Sequence, residues 1–187
     1  MVNAASAYHC GGGFSTGGRH ALEEALCTSS TLRVSLQEIL ASVENVESEG
    51  YIPKNGVILT KGVEFFRGPT DDGYPFLDEP WVADVISVAM PNLNSWVRDS
   101  PVDHFESKTE YENIILTKWR AVILASDQAK VEALCICDAG CGVFHNDAWT
   151  VGRLLGMTLR SRTSGLQHVY VCAFQRNFFA GVRLTAV

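Results

Sequence analysis

The chain has 187 residues, 47% of them hydrophobic and 19% charged, with 16 Gly and 6 Pro. That balance excludes a disordered chain and predicts one globular domain over residues 1–187 with a sizeable core. With 15 Lys+Arg against 21 Asp+Glu, the formal charge of -6 argues against direct sequence-specific binding to nucleic acid, so any anionic ligand must be gripped locally by backbone N–H groups.

Met1 to Ala5 reads as the end of a strand entering a loop over 6–18, and a helical pattern starts near His20 with Ala21, Leu22, Ala25 and Leu26 available to the core. A second helix is expected from Thr31 to Val43. Gly56 to Thr60 and Val63 to Phe66 read as two short strands and Gly68 to Pro80 as a loop. Trp81 to Ala89 is an apolar strand stopped at Met90-Pro91-Asn92, because proline cannot donate to a ladder. The helical spacing of Ile114, Ile115, Trp119, Val122 and Ile123 predicts an amphipathic helix over 111–126. A strand from Val131 to Cys137 then runs into the glycine-bearing segment 139–144, after which Asn146 or Asp147 can cap a helix reaching about Arg160. His168 to Phe174 supplies a last buried strand. No apolar run reaches the roughly 20 residues of a bilayer span and no secretory leader is visible, so the expectation is a soluble intracellular protein, cytoplasmic or nuclear, with no membrane role.

The six cysteines, Cys10, Cys27, Cys135, Cys137, Cys141 and Cys172, read as reduced thiols in a core. Cys135, Cys137 and Cys141 with His9 or His145 could be taken for zinc ligands, but paired C-x-x-C knuckles are missing and no metal is expected.

Two segments carry chemistry. Gly11-Gly12-Gly13 lets backbone lie against a bulky polar ligand, and Glu23-Glu24 close behind can supply acid/base groups. Ala139-Gly140-Cys141-Gly142-Val143-Phe144 is a second glycine loop at a strand exit, where helix N-termini and loops present N–H groups to anions. Neither segment fits the P-loop or the G-x-G-x-x-G fingerprint. The pair of loops predicts a phosphate cradle made from two sides.

The segments Val2-Asn3-Ala4-Ala5-Ser6-Ala7, Gly11-Gly12-Gly13-Phe14, Glu23-Glu24-Ala25-Leu26-Cys27 and Gly140-Cys141-Gly142-Val143-Phe144 together resemble the microbial-type poly(ADP-ribose) glycohydrolases. The resemblance implies a macrodomain-like three-layer α/β/α fold with a central mixed sheet, lacking the N-terminal segment that family members carry before the first ligand strand. It implies hydrolysis of the ribose-ribose O-glycosidic bonds of poly(ADP-ribose), with release of ADP-ribose and no cofactor. Glu24 takes the catalytic position and Glu23 helps to hold ribose hydroxyls. Asn3 would contact the distal ribose, Gly11, Gly12, Gly13 and Phe14 the diphosphate and ribose, and Gly140, Cys141, Gly142 and Val143 the diphosphate from the other side. Phe144 would pack on the terminal ribose and Phe174 would stack on adenine. The implied partners are poly(ADP-ribose) or an ADP-ribosylated protein, met by a monomer.

The residues also admit plainer readings. Glu23 could pair with Arg19 on an exposed helix face, His20 and His145 could be satisfied polar groups, and Phe144 and Phe174 could be core. Leu22 stands where the family usually has Gln, and Cys10 where proline is frequent before the glycines. A non-catalytic ADP-ribose reader and a mono-ADP-ribosyl hydrolase therefore share the same pocket as alternatives. A two-carboxylate dyad is disfavoured, because helix neighbours project about 100° apart.

Overall fold

Val85 and Ile86 are adjacent, yet Val85 packs with Leu32, Leu36, Val63 and Phe65 while Ile86 packs with Trp119, Leu134 and Leu154. That alternation is the strand period of two, and it means the strand is covered on both faces. In the computed structural model, which describes residues 1–17, 21–98, 100–161 and 165–186, this strand is β3, Phe76–Val88. Its neighbours are β1, Val2–Ala4, in parallel and β2, Ile58–Arg67, antiparallel. β4, Ala133–Ile136, pairs in parallel with β5, His168–Val171.

The strands form a central mixed sheet in two hydrogen-bonded blocks, β2-β3-β1 and β4-β5. β1 and β4 face each other across the join, where the Cys137 thiol lies 3.9 Å from the Val2 carbonyl oxygen. One face carries α1, Leu22–Ser29, and α2, Leu32–Ser42, followed by the single turn α3, Val46–Glu49. The other carries α4, Lys108–Ala129, α5, Ala148–Arg160, and α6, Arg176–Thr185. The result is the three-layer α/β/α arrangement expected.

Local chemistry explains most boundaries. Ser107 caps α4 by accepting from the Glu110 N–H at 3.1 Å, and Asp147 rather than Asn146 caps α5 by accepting from the Thr150 N–H at 2.8 Å. Three expectations are corrected. The two short strands are one strand, β2, continuous through a register shift between Thr60 and Val63. The expected loop over 68–80 is shorter, because Phe76 pairs with Arg67 and starts β3 early. The last strand stops at Val171, and a sixth helix follows it. Helix α6 packs tightly on α5, where a Cβ at Gly152 would run into the Phe178 carbonyl. Arg19 and His20, with the expected helix start and the Glu23–Arg19 pair, lie outside the described residues.

Candidate active site

Loops leave the carboxyl ends of β1 and β4 side by side, so the two glycine segments face one cavity of about 810 Å³. That is the size of a small-molecule or cofactor site. The first loop is built around carboxylates. Glu23 Oε2 accepts from the Ser6 N–H at 2.8 Å and its Oε1 from the Gly11 N–H at 3.3 Å. Glu24 Oε1 accepts from the Gly13 N–H at 2.8 Å. Between them Gly12 has φ +54°, and a Cβ there would stand 2.6 Å from Glu24 Oε1 and 3.4 Å from Glu23 Oε2. Glycine is needed at 12 for both backbone and space.

The two carboxyl groups differ. Glu23 is only 3% exposed, and burial pushes its carboxyl up to about 8 against the downward pull of the Ser6 and Gly11 N–H groups and the Asn3 side chain. The charge of Glu24 adds to the rise. Glu24 is half-buried, and its second oxygen, Oε2, has no hydrogen-bond partner among the described residues. A buried unpaired carboxylate oxygen is costly unless something else completes it. Both residues line the cavity. The pair therefore converges on one loop, although each carboxyl bonds to different N–H groups.

The second loop is held by amides that point away from the cavity. Asn146 donates to the Pro91 carbonyl at 2.8 Å and the Gly140 carbonyl at 2.9 Å, and it accepts from the Tyr111 hydroxyl at 3.0 Å. Asn94 donates to the Val143 carbonyl at 2.8 Å, and the Leu93 N–H donates to the Phe144 carbonyl at 3.0 Å. Gly140 has φ +75°, and a Cβ there would lie 2.5 Å from the Met90 Cβ. The loop is thus pinned against the exit of β3.

Of the residues singled out from sequence, Glu23, Glu24, Gly12 and Gly13 meet Gly140, Gly142, Val143 and Phe144 around the cavity. Phe174 stands at its rim, 96% exposed rather than core. Four do not line it. Asn3 is fully buried and donates to the Ser87 hydroxyl at 3.1 Å, because it points across the β1–β3 pair. Gly11 sits under the loop, where its N–H is occupied by Glu23. Phe14 is turned outward, with the Arg33 guanidinium 4.7 Å from its ring centroid. The Cys141 side chain packs into the core against Ala139 and Val151. All six cysteines are free thiols. No His, Cys, Asp and Glu cluster suited to a metal occurs among the described residues, and no helix among them is long and apolar enough to cross a membrane.

Asp138 escapes sequence reading. Its Oδ2 accepts from the Phe174 N–H at 3.0 Å and the Gln175 N–H at 2.9 Å, so the end of β4 fixes the start of α6 and aims Phe174 at the cavity. The apolar pattern of 168–174 hides the helix start. An Asp directly after a strand, facing a chain segment that ends in Gln175-Arg176-Asn177, is the signal that was available.

Comparison with known proteins adds three findings. Residues 1–68 match the model of the microbial-type PARG catalytic domain, PARG being poly(ADP-ribose) glycohydrolase. A search of curated proteins returns no match. Among solved structures the chain is similar to the poly(ADP-ribose) glycohydrolase of Thermomonospora curvata, with TM-score 0.78 and 26% identity over 97% of this chain and 66% of that one. It is likewise similar to the glycohydrolase of Deinococcus radiodurans in complex with ADP-ribose, with TM-score 0.77 and 25% identity over 100% of this chain and 75% of that one. The T. curvata enzyme bound to the inhibitor ADP-HPD aligns with TM-score 0.73 and 25% identity over 98% of this chain and 69% of that one.

Proposed function

We propose that this chain, which shares its fold and its N-terminal signature with the microbial-type poly(ADP-ribose) glycohydrolases, hydrolyses the ribose-ribose O-glycosidic bonds of poly(ADP-ribose) and releases ADP-ribose. The observation that carries the reading is Glu24. Its Oε1 is fixed by the Gly13 N–H, its Oε2 is buried without a partner among the described residues, and the residue lines a cavity walled by both glycine loops. Glycoside cleavage passes through an oxocarbenium-like state, in which an acid must protonate the departing oxygen. The same group, then a carboxylate, activates the incoming water. Glu24 serves both steps.

Glu23 positions rather than reacts. Both of its oxygens are taken up by N–H groups of the first loop, so it shapes the cradle and meets the ribose hydroxyls as a group that holds its proton to about pH 8. Gly12, Gly13, Gly140, Gly142 and Val143 close on the diphosphate from two sides, Phe144 packs against the terminal ribose and Phe174 against adenine. Asn3 acts from below, through Glu23 and the β1–β3 pair.

Leu22 lines the cavity and offers no hydrogen bond, which is the observation that favours a non-hydrolysing ADP-ribose reader as the second reading. Incubation with poly(ADP-ribose) and measurement of free ADP-ribose separates the two. The wild-type chain is expected to release ADP-ribose, and Glu24→Gln to bind ADP-ribose by calorimetry without releasing it. Binding without release by the wild type would make the protein a reader, and release undiminished in Glu24→Gln would remove Glu24 from the chemistry.

A further inference from the structure

Strands β4 and β5 are packed by helices on one face, where Leu134 and Ile136 are buried with Trp119 of α4 and Leu154 of α5. The opposite face is open, and Cys135, His168 and Tyr170 are exposed on it. Side chains alternate along a strand, so Cys137 and Cys172 belong to the same open face as Cys135 and Tyr170. Both line the main cavity, together with Asp138 and Phe174.

The two cysteines also stand opposite one another. The ladder pairs Cys135 with Tyr170 and Ile136 with Val171. The Cys172 N–H then donates to the Ile136 carbonyl at 2.7 Å, the parallel-sheet bond that carries the same register on to Cys137 and Cys172. Just beyond, the Asp138 carboxylate accepts from the Phe174 N–H at 3.0 Å, so the strand ends are tied on either side of the pair. Opposite residues on neighbouring strands lie about 4.8 Å apart, inside the roughly 4.4–6.8 Å that separates the Cα atoms of a disulfide. In the reduced protein the Cys137 thiol rests 3.9 Å from the Val2 carbonyl oxygen, a weak contact that rotation about the Cα–Cβ bond releases.

We infer that Cys137 and Cys172 are a modification site, a dithiol that a peroxide closes to a disulfide in the wall of the main cavity. Cys172 is the exposed partner and meets the oxidant. Its sulfur attacks one peroxide oxygen, the O–O bond breaks, and a sulfenic acid and water are formed. The Cys137 sulfur then attacks the Cys172 sulfur. The S–S bond forms, the S–O bond breaks, and the departing hydroxide takes the Cys137 proton to become a second water. Two thiols and one hydrogen peroxide thus give one disulfide and two waters. Burial, helped by the charge of Asp138, pushes the Cys137 thiol up to about 12, so it keeps its proton until Cys172 has been oxidised. The bridge encloses residues 138–171 in a covalent ring that contains the second glycine loop, and it fixes the chain just before Phe174.

The test treats the whole reduced chain with a small excess of hydrogen peroxide, blocks the remaining thiols, and maps the non-reduced digest by mass spectrometry. A peptide linking Cys137 to Cys172, lighter by two hydrogens and split by dithiothreitol, is expected in the wild type and undiminished in Cys135→Ser. Cys172→Ser should lose it, and thermal melts should show Tm raised by several degrees on oxidation of the wild type but not of Cys172→Ser. Dimedone, which traps sulfenic acids, should label Cys172 in Cys137→Ser. Cys172 is exposed, so Cys172→Ser carries the test even where Cys137→Ser fails to fold. A link formed by Cys135 in place of either partner, links found only between chains, or advance of Cys172 to the sulfinic acid with Cys137 still a free thiol would each overturn the site.

Discussion

The two glycine loops are held in place by opposite means. The first is held together by the carboxyl groups of Glu23 and Glu24, which also line the cavity. The second is held by Asn94 and Asn146, whose amides bond to carbonyls on the side away from the ligand space. On the proposed reading, structure and chemistry share atoms in the first loop and are separated in the second. Substitutions should therefore confound stability with activity in one loop and not in the other.

The largest test of that contrast is at Glu24. Glu24→Gln keeps an oxygen for the Gly13 N–H and removes the proton donor, so kcat should fall about 10²–10⁴-fold, the usual worth of a general acid/base, with stability unchanged. Glu24→Ala removes both roles and should also lower stability by about 1–2 kcal/mol, since the Gly13 N–H loses its acceptor. Assays of rate beside denaturant melts decide the matter: equal stability of the two variants would mean that the carboxylate does not hold the loop.

At Asn146 the order reverses. Asn146→Ala strips two carbonyls and one tyrosine hydroxyl of their partner and should cost about 2–4 kcal/mol of folding free energy, with about 1–3 kcal/mol from the buried Pro91 carbonyl and less from the part-buried Gly140 carbonyl and Tyr111 hydroxyl. Molecules that remain folded at low temperature should keep kcat within a few fold, with weaker ADP-ribose binding. A loss of kcat as large as that of Glu24→Gln would show that the second loop takes part in the chemistry.

Glu23 joins both sides of the comparison through pH. Its carboxyl is raised in the folded protein to about 8 from an ordinary 4.5, so its contribution to stability is fully present below the unfolded value and is lost as pH rises through the folded one. Glu23→Gln can satisfy only one of the Ser6 and Gly11 N–H groups and should be less stable than wild type in acid. The gap should narrow as pH rises from about 4.5 to about 8. Urea melts across that window check it, and a gap that widens with pH would mean that the carboxylate form is the one the fold holds.

The parts of this architecture written in local pattern were legible in the sequence. The 3.6-residue spacing from Ile114 to Ile123 announced α4, and the proline at 91 announced the exit of β3. Gly12 and Gly140 were recognisable as backbone necessities, since both take positive φ. What could not be read depended on partners far apart in the chain. Asn3 looks like a ligand contact until Ser87, 84 residues on, takes its amide. Phe14 looks like a cavity residue until Arg33 covers its ring. Helix α6 was hidden because its N-terminus is set by Asp138, 36 residues before Phe174, while the apolar run before it reads as one strand.

The smallest expected effect concerns Phe174, where function and structure are most cleanly parted. Its ring is 96% exposed and its place is fixed through backbone N–H groups bonded to Asp138, so the side chain itself supports nothing. Phe174→Ala should leave the melting temperature unchanged while ADP-ribose affinity falls about 10-fold, near the lower end of the roughly 1–3 kcal/mol that an aromatic ring contributes to stacking on a base. Asp138→Asn weakens the acceptor but keeps the ring, and should give a smaller loss in affinity together with a small loss of stability at the start of α6. ADP-ribose and ribose-5-phosphate titrated against the same variants complete the test, because only the ligand with adenine should sense Phe174. Equal losses for both ligands would move adenine away from this rim and leave the exposed ring without a part in binding.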